Sequence, residues 1–129
     1  MKKIIFTQCF MVIFAIAFAQ TGNTWIQKTD VGGTARSSSV GFSIGDKGYI
    51  GTGNQGFTYF KDFWEYDPVA NVWSQKSNFG GVARNLATGF SIGFKGYIGT
   101  GSDGVQNLAD FWEYDPIANT WVRKADVPS

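Results

Sequence analysis

The feature that most constrains this chain is an internal repeat of 48 residues. Trp25, Trp73 and Trp121 are each 48 positions apart, and aligning 24–71 with 72–119 gives 29 identities in 48 positions without a gap. A fixed period of this length is the signature of a repeat architecture, in which each unit is stacked on the next. We therefore divide the chain into repeat 1 (about 24–71), repeat 2 (about 72–119) and the start of a third repeat (120–129).

Each repeat predicts four short strands joined by turns. In repeat 1, residues 39–45 alternate apolar side chains with glycine and serine, which is the period of two expected for a strand. Further strands are predicted at 49–53, 62–67 and 72–76, and DPVAN at 67–71 is a turn built on aspartate, proline and asparagine. Helical periodicity is absent from residues 20–129, so the predicted fold class is all-β.

The third predicted strand of each repeat carries large aromatic residues on both of its faces. In DFWEYDP at 62–68, which returns at 110–116, Trp64 and Tyr66 point to one side and Phe63 to the other. A sheet with one face in water would not be built in this way. We therefore expect a stack of small sheets covered on both faces, as in propeller blades, with glycines such as Gly41 and Gly51 where the inner strands crowd together.

The chain resembles the Kelch-repeat β-propeller proteins, of the exported bacterial type, over residues 24–124. The matching features are an arginine before the first strand (Arg36, Arg84), KGYIGTG at 47–53 and 95–101, and EYDP followed by tryptophan at 65–73 and 113–121. Kelch repeats usually carry a double glycine where this chain has glycine-threonine-glycine. The resemblance implies two four-stranded antiparallel blades, plus an N-terminal extra strand at 24–28 (TWIQK) of the kind that completes a last blade.

Two blades form only an incomplete ring, because propellers close with about four to eight blades. Missing blades or a homo-oligomer would be needed to close it. The chain runs through its own fourth strand at 120–124 and ends in DVPS. This ending favours a truncated propeller over a two-blade chain that assembles as an oligomer.

The first nineteen residues have the pattern of a signal peptide. Lys2 and Lys3 precede an apolar run from Ile4 to Phe18, and Ala17-Phe18-Ala19 fits a signal-peptidase site. An uncleaved membrane anchor is the alternative. We expect residues 20–129 to form a Kelch-repeat segment that is extracytoplasmic (periplasmic, cell-surface or secreted) and has no membrane contact after the leader is cleaved.

The amino-acid composition of residues 20–129 excludes several kinds of functional site. Loss of Lys2 and Lys3 changes the formal net charge from +1 to −1, which does not favour a nucleic-acid partner. The only cysteine, Cys9, lies in the leader, and the chain has no histidine. The usual zinc and copper ligands and cysteine or serine-histidine nucleophiles are therefore missing, and we predict neither a metal nor a cofactor.

Binding residues are expected where the two repeats differ, because the shared positions already have a packing role. The differences fall mainly at 37–40 against 85–88 and in the loops 54–61 against 102–109, which should emerge on one rim. There we predict a stacking platform and polar groups for a glycan or protein ligand, formed by Phe57, Tyr59, Phe60, Asp103, Gln106 and Asn107. The alternative is that duplicated loops have simply drifted.

Two charged positions recur in both repeats. The resemblance implies that Arg36 and Arg84 lie at the channel mouth, where two guanidinium groups would suit a carboxylate ligand. The alternative is that each arginine satisfies carbonyl groups of the preceding loop. Glu65 and Glu113 lie within the repeated phrase, one per repeat, and do not form a catalytic pair.

Two functions from different classes follow. The first is an exported binding or scaffold module that recognises a glycan or protein through the loop rim. The alternative is a fragment of a Kelch-type sugar-processing enzyme, for example one acting on sialic acids, with its catalytic groups in missing blades. An enzymatic activity of this segment itself is the less favoured interpretation.

Overall fold

The computed structural model describes residues 24–128, and these residues fold into antiparallel β-sheets with no helix. Accordingly, no helix in residues 24–128 is long and apolar enough to cross a membrane. The predicted signal peptide at 1–19 lies outside the described residues. The expected all-β fold class is confirmed.

Repeat 1 supplies most of a four-stranded sheet, called sheet 1. Its strands lie side by side in the order β1 (Val40–Ile44), β2 (Lys47–Gly51), β5 (Phe63–Asp67) and β6 (Val72–Lys76). Between β2 and β5 a small hairpin is formed by β3 (Asn54–Gln55) and β4 (Thr58–Tyr59). The sheet crosses the boundary at residue 71, because its outer strand β6 belongs to the second 48-residue repeat.

Sheet 2 repeats this arrangement 48 residues later. Its strands are β7 (Thr88–Ile92), β8 (Lys95–Gly99), β9 (Phe111–Asp115) and β10 (Thr120–Lys124). All neighbours are antiparallel, and Phe90↔Tyr97 pairs in the same register as Phe42↔Tyr49. The prediction of four strands per unit is confirmed in both sheets.

The predicted DPVAN turn at 67–71 forms by the expected chemistry, and DPIAN at 115–119 forms in the same way. The Asp67 carboxylate accepts hydrogen bonds from the backbone N–H groups of Val69 (2.8 Å) and Ala70 (3.1 Å). Asn71 then adopts the left-handed region with φ 55°, which asparagine tolerates better than most residues. Each turn therefore closes a β-hairpin without a glycine.

The two sheets stack face to face through different surfaces. The aromatic face of each sheet carries the large side chains of its first strand, the tyrosine of its second strand and the phenylalanine of its third strand; in sheet 1 it includes Phe42, Tyr49 and Phe63. The glycine face is the opposite one; in sheet 2 it includes Gly89, Gly96 and Ile98, with Trp112, Tyr114 and Trp121 further out. The aromatic face of sheet 1 packs on the glycine face of sheet 2, where the Phe63 ring meets Tyr114 at 4.9 Å and Trp121 at 5.0 Å.

Glycines let the inner strands approach closely. A Cβ built on Gly89 would lie 2.3 Å from Val40, and one built on Gly96 would lie 2.4 Å from the Phe42 ring. The core of the molecule is therefore the layer between the sheets, containing Val40, Ile44, Tyr49, Phe63, Phe79, Ile98 and Tyr114. Burying each such side chain is worth about 1.5–3 kcal/mol.

The prediction of an N-terminal strand at 24–28 is wrong for this structure. Residues 24–30 have no strand assignment, and the Trp25 side chain is fully exposed. The strand was expected beside the third strand of a last blade. That place is already taken in both sheets, because β6 pairs with β5 and β10 pairs with β9.

Candidate functional site

The two arginines singled out by the sequence form matching clamps inside the loops before β1 and β7. Arg84 donates to both carboxylate oxygens of Asp110 (2.6 and 2.8 Å), to the Thr100 carbonyl (2.9 Å) and, through Nε, to the Val82 carbonyl (3.1 Å). Arg36 makes the same set of bonds to Asp62 and to the carbonyls of Thr52 and Thr34. Each clamp ties the strand-entry loop to the loop before the third strand.

The carboxylates of the clamps are held in the charged form. Burial alone would raise the pKa of Asp110, but hydrogen bonds from Arg84 and from the Trp112 indole (2.7 Å) outweigh it, so the pKa lies below its usual value. Asp62 has a lowered pKa for the same balance of causes, with Arg36 and Trp64 as donors. Bidentate arginine-carboxylate pairs of this kind are strong and geometrically specific.

The arginine side chains leave little room for a ligand. Only 6% of the Arg36 side chain and none of the Arg84 side chain is exposed. Their outer faces are also covered, since the Arg36 guanidinium lies 4.5 Å from the centre of the Phe60 ring and that of Arg84 lies 4.8 Å from Phe79. This geometry supports the alternative in which both arginines satisfy loop carbonyls.

The loop of repeat 1 presents its three predicted aromatic residues very differently. Phe57 stands at the tip of the β3–β4 hairpin and is fully exposed. The Tyr59 ring packs against Gly104 of repeat 2, so closely that a Cβ built on this glycine would lie 2.7 Å from the ring. Phe60 stacks on Arg36, as described above. Phe57 is therefore the one member of this trio that is free to contact a ligand.

The loop of repeat 2 is ordered by its own aspartate. The Asp103 carboxylate accepts hydrogen bonds from the backbone N–H groups of Val105 and Gln106, both at 2.9 Å. These two bonds hold the pKa of Asp103 below its usual value. Asp103 therefore shapes the loop, while Gln106 and Asn107 remain exposed beside it.

The loops of the two repeats are linked through the strand-entry loop before β7. The Gly53 N–H donates to the Arg84 carbonyl (2.8 Å), and the Asn85 side chain donates to that of Asn54 (3.0 Å). The backbone of Asn85 in turn pairs with that of Ser102 (2.9 and 3.0 Å) at the start of the repeat 2 loop. Loops held by a rigid scaffold in this way can present binding groups at defined positions.

An open groove of about 570 Å³ is formed mainly by repeat 2 and the residues after it, with Lys61 contributed by repeat 1. Its walls include Lys61 from repeat 1, Gln106, Asn107 and Trp112 from repeat 2, and the ion pair between Arg123 and Asp126. The structure thus brings two of the predicted residues into one concave site. Phe57, Tyr59, Phe60, Asp103 and the two arginines do not line it.

Lys61, Trp112 and Arg123 are among the groove residues that were not singled out from the sequence. Lys61 lies in a loop that differs between the repeats and aligns with Ala109, so the comparison of repeats could have identified it. Trp112 belongs to the repeated phrase and was interpreted only as a packing residue. Arg123 aligns with Gln75 on an outer strand, where no pattern distinguishes a ligand contact from a solvated cation.

The two glutamates of the repeated DFWEYDP segment are paired with side chains of neighbouring strands. Glu65 accepts a hydrogen bond from the Tyr49 hydroxyl (2.6 Å) and pairs with Lys76 (3.1 Å). Glu113 makes the equivalent contacts with Tyr97 and Lys124. Within residues 24–128 no three potential ligands among histidine, cysteine, aspartate and glutamate cluster as a metal site would require.

No family model matches the chain, and no curated protein matches it either.

Proposed function

We propose that this chain is a segment of an extracytoplasmic Kelch-type β-propeller that binds a glycan in the groove formed by repeat 2 and Lys61 of repeat 1. The observation that carries the proposal is the groove itself, which unites Lys61 of one repeat with Gln106 and Asn107 of the next. The site therefore depends on the stacking of the repeats, as expected of a propeller rim.

The propeller interpretation is supported by the form of the sheets and by their stacking. Each sheet has four antiparallel strands in meander order. In sheet 1 the β3–β4 hairpin is inserted between the second and third strands. Consecutive sheets meet face to face through glycine-rich inner strands. Propeller blades share this architecture. The extracytoplasmic location rests on the predicted signal peptide at 1–19.

The chemistry of the groove suits a hydroxylated ligand. Exposed amide groups on Gln106 and Asn107 can both donate to and accept from sugar hydroxyls. The Trp112 indole offers an apolar surface beside them, and Lys61 makes no ion pair among the described residues, so it can attract a carboxylate or sulfate on the glycan. A few polar groups around an aromatic surface is a common plan for small-ligand sites.

A glycan array probed with the chain lacking its leader (20–129) tests this proposal. We expect retention of a subset of glycans, and loss of that retention in the Q106A/N107A double variant with little change in melting temperature, because both side chains are exposed. Gln75→Ala, an exposed amide on β6, is the matched control and should bind normally. No retained glycan, or unchanged retention by the double variant, would contradict the proposal.

A protein ligand is a second candidate, favoured by a separate observation. Phe57 and Val105 occupy the same position in the two loops, and both are almost completely exposed (100% and 93%). Apolar side chains at neighbouring loop tips are suited to a protein surface. If Phe57→Ala abolished capture of a cell-surface protein while the glycan array stayed blank, the protein ligand would be supported instead. No contact among residues 24–128 favours the enzyme alternative.

A further inference from the structure

Within residues 24–128, each of the two sheets has one large face that no other sheet covers, and the two uncovered faces are of opposite kinds. On sheet 2 the aromatic face is free: Phe90, Tyr97 and Phe111 form a stack with ring centres 5.4–5.8 Å apart, and Phe90 and Ile92 are 40% and 64% exposed. Their counterparts in sheet 1, Phe42 and Ile44, pack against the neighbouring sheet.

On sheet 1 the glycine face is free. A Cβ built on Gly48 would meet nothing nearer than 3.7 Å, and one on Gly41 nothing nearer than 3.4 Å. The equivalent atoms on Gly96 and Gly89 would lie 2.4 and 2.3 Å from side chains of sheet 1. The same glycine surface is therefore filled in sheet 2 and empty in sheet 1.

The uncovered faces reproduce the two sides of the internal interface almost residue for residue. Of the buried strand residues in that interface, only Val40 has a different counterpart, Thr88; outside the strands, Phe79 and Ala87 correspond to Val31 and Ser39. The glycine face of sheet 1 has the full set found in sheet 2, namely Gly41, Gly48, Ile50, Trp64, Tyr66 and Trp73. A surface that fits Phe42 and Ile44 inside the chain thus exists a second time for Phe90 and Ile92.

We propose that a second copy of this chain docks head to tail, with the aromatic face of sheet 2 on the glycine face of sheet 1 of the next copy. Charges do not oppose this contact. Lys95 pairs with Asp115 and Lys124 with Glu113, as Lys47 and Lys76 pair with Asp67 and Glu65 at the internal interface. Such a heterologous contact repeats from copy to copy and gives a ring or an open chain.

Residues 24–28 set one steric condition for docking. Thr29 bonds to Asn71 as Ser77 bonds to Asn119, so the residues before Thr29 lie where an outer strand of the docking sheet belongs. The docking copy brings its own strand β10, whose sequence TWVRK closely matches TWIQK. Because 24–28 are unpaired and exposed, they give way to β10 in the proposed docking. Residues 125–128 of the docking copy follow β10 as 77–80 follow β6, and they are displaced as well, because Thr29 and Gly32 of the receiving copy already hold that place.

Complementary single-face variants test the proposal by light scattering behind size exclusion. Ile92→Glu places a charge on the aromatic face of sheet 2, and Gly48→Leu fills the glycine face of sheet 1, where a Cβ meets nothing nearer than 3.7 Å. We expect the leaderless chain to associate in a concentration-dependent way and each variant to be monomeric. Their equimolar mixture should form a dimer and nothing larger, because only one intact pair of faces remains.

Controls distinguish specific docking from loss of folding or general stickiness. Near-ultraviolet circular dichroism and melting temperature should be unchanged in both variants, and Gly41→Ala gives a milder second block of the same face. Phe94→Glu, at an exposed turn outside both faces (79% exposed), should still associate. A wild-type chain that stays monomeric up to about 100 µM, variants that associate like the wild type, or equal loss in Phe94→Glu would each overturn the proposal.

Discussion

Ile44 and Ile92 occupy the same position in the two repeats, yet one is 6% and the other 64% exposed. The flanking strands have the same register, so the local structure does not explain the difference. Ile44 faces sheet 2, whereas the described chain places no sheet against Ile92. Burial in this molecule is therefore a property of the neighbouring unit rather than of the local sequence.

The opposite faces show the reverse contrast. Tyr114 is completely buried on the glycine face of sheet 2, whereas its counterpart Tyr66 is only partly buried on sheet 1. Each tyrosine donates to the asparagine of its own turn, at 2.9 and 2.8 Å. The same substitution at equivalent positions of the two repeats therefore removes the same side chain from a covered and an uncovered face. Each repeat serves as the control for the other.

The largest expected contrast is between Phe63→Ala and Phe111→Ala. Phe63 is fully buried between the sheets, so its truncation should lower the free energy of unfolding by about 3–5 kcal/mol. Phe111 packs only within its own sheet on the free face, and the same change should cost less than half as much. Urea unfolding of the dilute chain measures both, and equal losses would mean that the two faces are equally covered.

Alkaline pH should weaken the interface through Tyr114. Burial, with a smaller effect from Glu65, raises the pKa of Tyr114 to about 12, against about 10 in the unfolded chain. Because the folded pKa is raised, this stability is fully present below pH 10 and is lost between about pH 10 and pH 12. The total is about 2–3 kcal/mol.

Comparison with Tyr114→Phe isolates this effect. The phenylalanine variant cannot ionise at this position, so its unfolding free energy should fall less steeply than that of the wild type between pH 10 and pH 12. Urea unfolding across this range gives both slopes. Parallel slopes would show that Tyr114 is not protected from ionisation by the interface.

The glycine faces give the next contrast. Gly96→Ala places a methyl group against the Phe42 ring and should destabilise the chain by about 1–3 kcal/mol. Gly48→Ala makes only an ordinary contact with the Tyr66 Cβ at 3.7 Å and should change stability by less than about 0.5 kcal/mol. Thermal unfolding at low protein concentration compares them, and an equal penalty at Gly48 would show that its face is already covered.

The smallest effect is expected where the repeats agree. Thr52 and Thr100 stand at φ 57° and 60°, in the left-handed region that a β-branched residue adopts only with strain. The buried Thr52 hydroxyl also has no hydrogen-bond partner among the described residues. Thr52→Gly should therefore raise the unfolding free energy by up to about 1 kcal/mol, and Thr100→Gly by less. A clear loss of stability in Thr52→Gly would show that the hydroxyl is needed.

Much of the fold follows from the sequence because strands and turns are local. The alternation in 39–45 predicts β1, and the DPVAN turn predicts the β5–β6 hairpin. Phe63 and Trp64 point to opposite faces of their strand, which predicts a sheet that is covered on both faces. The sequence does not show which faces are covered, because the residues of the two sheets are nearly identical. Residues 24–28 have the sequence of a strand but do not form one, because a strand forms only beside a partner and the local sequence does not show whether a partner is present.

The candidate site was partly predictable for a related reason. Differences between the repeats pointed to the loops that hold Gln106 and Asn107, and both line the groove. The roles of Arg36 and Arg84 depend on partners 26 residues away, Asp62 and Asp110, which recur at the same spacing in both repeats. That spacing is a signal that sequence comparison could use. Groove residues such as Trp112 and Arg123 depend on how the repeats stack, which no local pattern shows.

The most direct test of the account is hydroxyl-radical footprinting of the dilute, leaderless chain, read residue by residue by mass spectrometry. If sheet 1 stacks on sheet 2 through its aromatic face, Phe90 and Ile92 are oxidised several-fold faster than Phe42 and Ile44, although the local sequences are almost the same. Equal oxidation of the two sets would contradict it, because sheet 1 would then not be stacked on sheet 2 through its aromatic face.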